Sequence, residues 1–149
     1  MQLCRLDHTN TSTAKDILSV QCPAYKEESK IIGFDGIPYL NDNIDTIMMS
    51  QETFIGCYDD DHLLGFIAYE KREDHYQITR LCVVPTHFRK GVASRLVDHI
   101  LTTSKSGPIH VQTGSLNTPA IDLYRRFGFV HDYISEAEPG VWLQCLVRH

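Results

Sequence analysis

From Thr53 onward the apolar positions fall into a series of short, well-separated runs, whereas the stretch before it has no single period. TFIGCY, LLGFIAYEK and YQITRLCVV read as strands joined by the turns DDDH and REDH, an antiparallel meander. After Gly91 the period changes. Val92, Leu96, Val97, Ile100 and Leu101 share one face of a helix, whose end suits Lys105 and Gly107. IHVQT is a further strand, and a strand–helix–strand unit of this kind predicts a parallel pair. Thr118 and Pro119 read as N-cap and first residue of a helix that stops at Gly128. Val130 to Ser135 and Val141 to Val147 complete the series as strands around an EAEPG turn.

The first 50 residues are less regular. Gln2 to Leu6 predicts a strand, and Thr11, Ser12 or Thr13 offers a cap for a helix running towards Cys22. Pro23 should end that helix, because proline disfavours helical backbone at the residue before it. Gly33, Gly36 and Pro38 interrupt Tyr25 to Ser50, with a short helix expected within Asp42 to Met49. The whole predicts one α+β domain over 1–149: a mostly antiparallel mixed sheet with one parallel crossing and helices on both faces.

Composition narrows the possibilities. The 149 residues are 42% hydrophobic and 22% charged, which suits a globular chain with one core. No apolar run approaches the roughly 20 residues of a membrane span, and charge interrupts MQLCRLDHTN where an export signal would be apolar. Five scattered cysteines without a CxxC pair fit a reduced, cytoplasmic protein. Eight dispersed histidines form no metal-ligand spacing, so no metal is expected. A net charge of −5 argues against nucleic-acid binding. Residues 1–62 carry 11 acidic against 4 basic side chains, and residues 63–149 carry 8 against 10. Either this is ordinary solvated surface, or the second half meets an anion and the first a cation.

RKGVAS, Arg89 to Ser94, lies where a strand ending at Pro85 turns into a helix. Unpaired amides at a helix start, with the positive end of its dipole, form an anion site. Gly91 admits close approach to the backbone, Ala93 keeps the next position small, and Arg89 and Lys90 add charge. The alternative is a glycine turn with no ligand. Neither GxxxxGK[ST] nor GxGxxG with a later acidic partner is present.

GSLNTPAIDLYRRFGFV, Gly114 to Val130, follows the second parallel strand. With it, Thr53 to Val147 resembles the GNAT superfamily of acetyl-CoA-dependent N-acetyltransferases. In that family the first motif is written [Q/R]-x-x-G-x-[G/A]; Gly91 and Ala93 match it, while Phe88 stands at the Gln/Arg position with Arg89 beside it. The resemblance implies a pyrophosphate cradle in the amides of Arg89, Lys90, Gly91, Val92, Ala93 and Ser94, and a pantetheine arm against the main chain of Leu81, Cys82 and Val83. Cys82, among apolar neighbours, reads as core rather than nucleophile. Asn117 matches a side chain that contacts the CoA arm; it also suits a helix cap. Tyr124 matches the tyrosine beside the thioester sulfur, placed to stabilise or protonate the leaving thiolate.

The position where many family members carry a glutamate base is Gln77 here. His75, Glu70, or a water held by Gln77 and Thr79 are the alternatives. The implied activity is acetyl transfer to a primary amine of a small, cationic acceptor, by a monomer or homodimer without a nucleic-acid or membrane partner. Glu27, Glu28, Asp35, Asp42 and Asp45 would face such an acceptor, and Tyr25 to Ser50 would set its choice. Two other classes remain open: an acyl-CoA sensor without catalysis, or a phosphate-binding protein unrelated to CoA.

Overall fold

The computed structural model describes residues 1–103 and 107–149. In chain order the elements are β1 (Gln2–Arg5), α1 (Thr11–Ile32), α2 (Ile44–Met48), β2 (Thr53–Asp59), β3 (His62–Lys71), β4 (Tyr76–Val83), α3 (Val92–Thr103), β5 (Ile109–Gly114), α4 (Thr118–Arg126), β6 (Val130–Glu138) and β7 (Val141–Arg148). Lys105, expected near the end of α3, lies outside the described residues. The strands make one sheet ordered β1-β2-β3-β4-β5-β7-β6. Neighbours run antiparallel except β4 and β5, the predicted parallel crossing.

Each face of the sheet has its own core. On one, the buried face of α3 (Val92, Leu96, Val97, Ile100) joins Leu123 and Tyr124 of α4 over Ile67, Ile78, Val111 and Leu146. On the other, Ala14, Ile17 and Val20 of α1 and Ile47 of α2 cover Phe54 and Phe66.

Three expectations are corrected here, the first being the start of α1, which Asn10 caps rather than Thr11, Ser12 or Thr13. Pro23 does not end α1, which runs on to Ile32. The Asn10 side chain accepts from the amides of Ser12 and Thr13 at its start, and Gly33, at φ 68°, closes it with an N–H to Ser29 O. Between these caps the buried positions Ala14, Ile17, Val20, Gln21, Ala24 and Tyr25 continue across Pro23 without a break. Burial of that face outweighs the roughly 3 kcal/mol that an internal proline costs. At α4 the N-cap is Asn117, one residue before the expected Thr118, and its Oδ1 accepts from Ala120 N at 3.3 Å.

What positions the site is the way β4 and β5 separate. They pair at Tyr76–Ile109, Gln77–His110 and Ile78–Val111 and no further. Beyond that point β4 stays on β3 as far as Val83, while β5 stays on β7 as far as Gly114. The parting coincides with a bulge: Ala68 faces Arg80 and Tyr69 faces Ile78, so Thr79 is the extra residue. Side-chain alternation resets there. Ile78 and Leu81 pack on the α3 side, and Cys82 packs on the α1 side.

Replacing Pro23 by alanine restores a possible N–H to the Ser19 carbonyl and removes the ring clash. Stability to urea should rise by about 2 kcal/mol after allowing for the stiffness proline lends the unfolded chain. An unchanged or lowered midpoint would show that the proline is accommodated without cost.

Candidate active site

Where β4 and β5 part, an open cleft of about 1780 Å³ runs through the sheet. Its walls come from the end of α1, the Phe34–Tyr39 segment, β4, β5, the turn before α3, and α4. The main chain of β4 beyond Ile78 has no strand partner on this side, which leaves an edge of backbone donors and acceptors facing the cleft.

At one end of that edge lies the RKGVAS turn. Arg89 and Gly91 both hold left-handed backbone, φ 62° and 83°. A Cβ on Gly91 would meet nothing within 4 Å, so the glycine serves conformation and leaves open space above it. The first intrahelical bond of α3 is Arg95 N to Gly91 O, at 3.0 Å. The amides of Val92, Ala93 and Ser94 therefore precede the helical ladder, and Gly91 supplies no capping side chain. The N-termini of α1, α2 and α4, in contrast, are each capped by an asparagine: Asn10, Asn43 and Asn117.

Leu81, Val83, Arg89, Gly91, Val92, Ala93, Ser94, Asn117 and Tyr124 all line this one cleft. Lys90 and Cys82 are not among the lining residues. Cys82 is buried on the α1 side, where burial pushes its thiol well up and leaves it inert. Phe88 lines the mouth, half exposed, at the position where the motif has Gln or Arg.

Tyr124 is buried, edge-on to Phe129 with ring centroids 5.4 Å apart. Burial, with smaller effects from the Glu28 and Cys82 charges, raises its phenol well above the usual range. Asn117 caps α4 through Oδ1, and its Nδ2 donates to Glu28 Oε1 at 3.0 Å. That contact ties α4 to α1.

The proposed bases fare differently. Gln77 lines the cleft, and its Nε2 reaches only Ile78 O, at 3.5 Å. Glu70 is ion-paired with Arg72 at 2.9 Å. His75 lines the cleft with Nδ1 on Asp74 Oδ1 at 2.7 Å, and its ring lies 4.3 Å from that of His110. The Thr79 hydroxyl donates to Glu52, so its proton is committed. Of the five acids expected to face an acceptor, Glu27 and Glu28 line the cleft; Asp35, Asp42 and Asp45 are not among its lining residues.

A cluster missed in the sequence underlies one wall. Arg80, 5% exposed, sends Nη2 to Glu52 Oε1 at 2.6 Å and Nη1 to Asp42 Oδ2 at 2.7 Å and Gln21 Oε1 at 2.9 Å. Its guanidinium also sits over the Tyr39 ring, 4.0 Å from the centroid. Burial raises Glu52, but the hydrogen bonds from Arg80 and Thr79 and the Arg80 charge hold it below the ordinary carboxylate value. The available signal was a lone cation inside the apolar run YQITRLCVV.

The acetyltransferase (GNAT) family profile matches residues 15–129, most of the chain. This chain belongs to that family. It is 40% identical over 139 residues to the UPF0157 protein YqkA of Bacillus subtilis (strain 168), covering 93% of the chain and 40% of that relative. It thus spans well under half the length of the curated relative it matches. Among solved structures, the ribosomal-protein-S18-alanine N-acetyltransferase from Escherichia coli superposes with a TM-score of 0.77 at 14% identity, over 99% of this chain and 92% of that one. An aminoglycoside 6′-N-acetyltransferase complexed with coenzyme A gives 0.76, also at 14% identity, over 99% and 96%. At such identities the likeness is one of fold: the mixed sheet with its single parallel pair is the GNAT fold.

In this GNAT chain the Arg80 cluster joins β4 to α1, β2 and the loop before α2. Replacing Arg80 by methionine strands Glu52 without its cation and should cost about 3–5 kcal/mol by urea denaturation. The same cluster sets an acid limb. Because the folded state lowers Glu52, its stabilisation is complete above the ordinary carboxylate pKa of about 4.3 and is lost as pH falls through the lower folded value. Glu52→Gln should flatten that limb; an unaltered limb would assign it to other carboxylates.

Proposed function

We propose that residues 1–149 act as one acetyltransferase unit, moving an acetyl group from acetyl-CoA to a primary amine of a small acceptor by direct attack. The observation that carries this reading is the unpaired β4 edge leading to an uncapped helix start, with Tyr124 in the same cleft. The free amides of α3 suit a pyrophosphate, and the amides and carbonyls of Leu81 to Val83 suit the two amide groups of a pantetheine arm. No side chain at Phe88 assists, so the cradle rests on backbone.

Acetyl-CoA supplies an activated thioester; the residues do the rest. The amine nitrogen bonds to the carbonyl carbon, and the carbon–sulfur bond breaks to leave CoA thiolate. Tyr124, raised by burial, stays protonated at neutral pH and donates a hydrogen bond to the developing thiolate. An acceptor that arrives as an ammonium loses two protons: one passes to solvent before attack and the second neutralises the departing thiolate, which balances the exchange. The acceptor is cationic in the sense that its amine arrives as an ammonium, near Glu27 and Glu28. A cytoplasmic setting suits the five free cysteines.

Gln77 and Phe88 favour a second reading, an acyl-CoA sensor without catalysis. A panel of primary amines offered with acetyl-CoA, followed by free-thiol release, separates the two: release above the hydrolysis background rules out the sensor. Tyr124→Phe should bind CoA within about twofold of the parent and turn over roughly 100-fold more slowly, the low end of general acid–base effects. Equal turnover would remove Tyr124 from the mechanism. CoA, and not ATP, should raise the melting temperature, since only a ligand of the native state stabilises it. Equal stabilisation by ATP would point to a phosphate-binding protein unrelated to CoA.

A further inference from the structure

Four carboxylates line the cleft: Glu27, Glu28, Asp122 and Glu138. Asp122 and Glu138 are exposed, and Glu27 is ion-paired with Lys30 at 3.0 Å. Glu28 differs. It is drawn off the surface, and among the described residues it has no ion-pair partner; its one hydrogen bond is from the neutral Asn117 amide at 3.0 Å. The other deeply placed acids of this face are already neutralised, Glu52 and Asp42 by Arg80. A partly buried carboxylate facing an open cleft with one hydrogen bond and no counter-ion leaves room for a cation, because hydrogen bonds and a close opposite charge together offset the desolvation of a charge.

The surroundings say what would meet it. Tyr25 lies one turn earlier on the same face of α1 and is stacked with Tyr39, centroids 5.8 Å apart; both line the cleft. Tyr39 already carries the Arg80 guanidinium over its ring, so these two rings wall the cleft and the charge of an ammonium group is left to Glu28. The Glu28 charge also reaches the Tyr25 and Tyr124 phenols, where it opposes ionisation of each. Glu28 and Tyr124 line the same cleft, and Asn117, which caps the helix carrying Tyr124, bonds to Glu28 and so bridges the two helices that carry the pair.

We infer that Glu28 is the seat of the acceptor amine: its carboxylate holds the incoming ammonium, takes one N–H proton, and frees the nitrogen lone pair to attack the thioester carbon. The proton-transfer half of this inference rests on the acetyltransferase reading; the ammonium-binding half does not. The balance is complete. One nitrogen proton passes to Glu28 and on to solvent, the N–C bond forms, the C–S bond breaks, and the second nitrogen proton neutralises the departing thiolate. Burial raises Glu28 from its ordinary value, partly countered by the Asn117 hydrogen bond, which is the direction that suits a base.

Glu28→Gln keeps the oxygen that accepts from Asn117 and removes the charge. The test uses the full chain with saturating CoA and n-butylammonium, followed by NMR titration, alongside amine-dependent thiol release from acetyl-CoA. E28Q should bind CoA within twofold of the parent, bind butylammonium at least tenfold more weakly, and lose about 100-fold in kcat/KM for primary amines. Butylammonium affinity and kcat/KM both within threefold of the parent would overturn the inference. Weakened ammonium binding in a protein whose parent releases no thiol with any amine would overturn the acetyltransferase reading and leave the amine seat standing. Loss of CoA binding in E28Q would overturn the inference in favour of a part for Glu28 in positioning α4; Glu28→Asp, which keeps the charge, would then fail to recover ammonium binding.

Discussion

A parallel ladder that stops after three residue pairs leaves the rest of β4 with backbone groups that no strand satisfies. Backbone polar groups at the mouth of a cleft need water or a ligand, and a linear arm carrying amides fits such an edge as a further strand would. The whole candidate site hangs from that unmade pairing. The bulge at Thr79 turns β4 as it leaves β5, α3 begins where β4 ends, and α4 begins where β5 ends. Two helix starts of opposite kind result: one left bare by glycine, the other closed by Asn117.

A parted strand needs to be held from the other side, and the α1 face does this with charge rather than with apolar packing alone. Arg80 follows the bulged residue directly and is fixed by Glu52, Asp42 and Gln21. A buried cation with three polar partners and an aromatic ring beside it has little freedom to turn, and it ties β4 to the elements that carry those partners. The arrangement also consumes Glu52 and Asp42. Of the four carboxylates that line the cleft, Glu28 alone is both drawn off the surface and without an ion-pair partner among the described residues.

The fold was legible in the sequence where burial is periodic and local. The meander from Thr53, the amphipathic face of α3 and the parallel crossing all follow from spacing alone. The misreadings share a cause. Pro23 argued locally for a helix end, but the face that α1 buries on the sheet extends beyond it, and tertiary packing decided. At α4 the Asn117 and Thr118 side chains were both able to cap, and only the backbone could choose. The site was legible in part: RKGVAS and NTPAIDLYRRFGF marked its two helix starts and Tyr124. Glu28 is named in the sequence as one of five acids expected to face an acceptor, with nothing there to set it apart from the other four. Its place in the cleft depends on α1 continuing past Pro23 to Ile32, against the local signal of the proline.

Gly114 ends β5 directly under α1, and a Cβ there would stand 2.8 Å from Ile32 Cγ2. Ile32 is one helical turn beyond Glu28, on the same side of α1. The hydrogen that glycine carries in place of a methyl group therefore works as a spacer, setting how far the last turns of α1 stand from the sheet. A larger residue at this point would lift Ile32 and carry Glu28 away from Tyr124 along with it. The depth of the cleft is in this way written partly in a residue that has no side chain and no chemistry of its own.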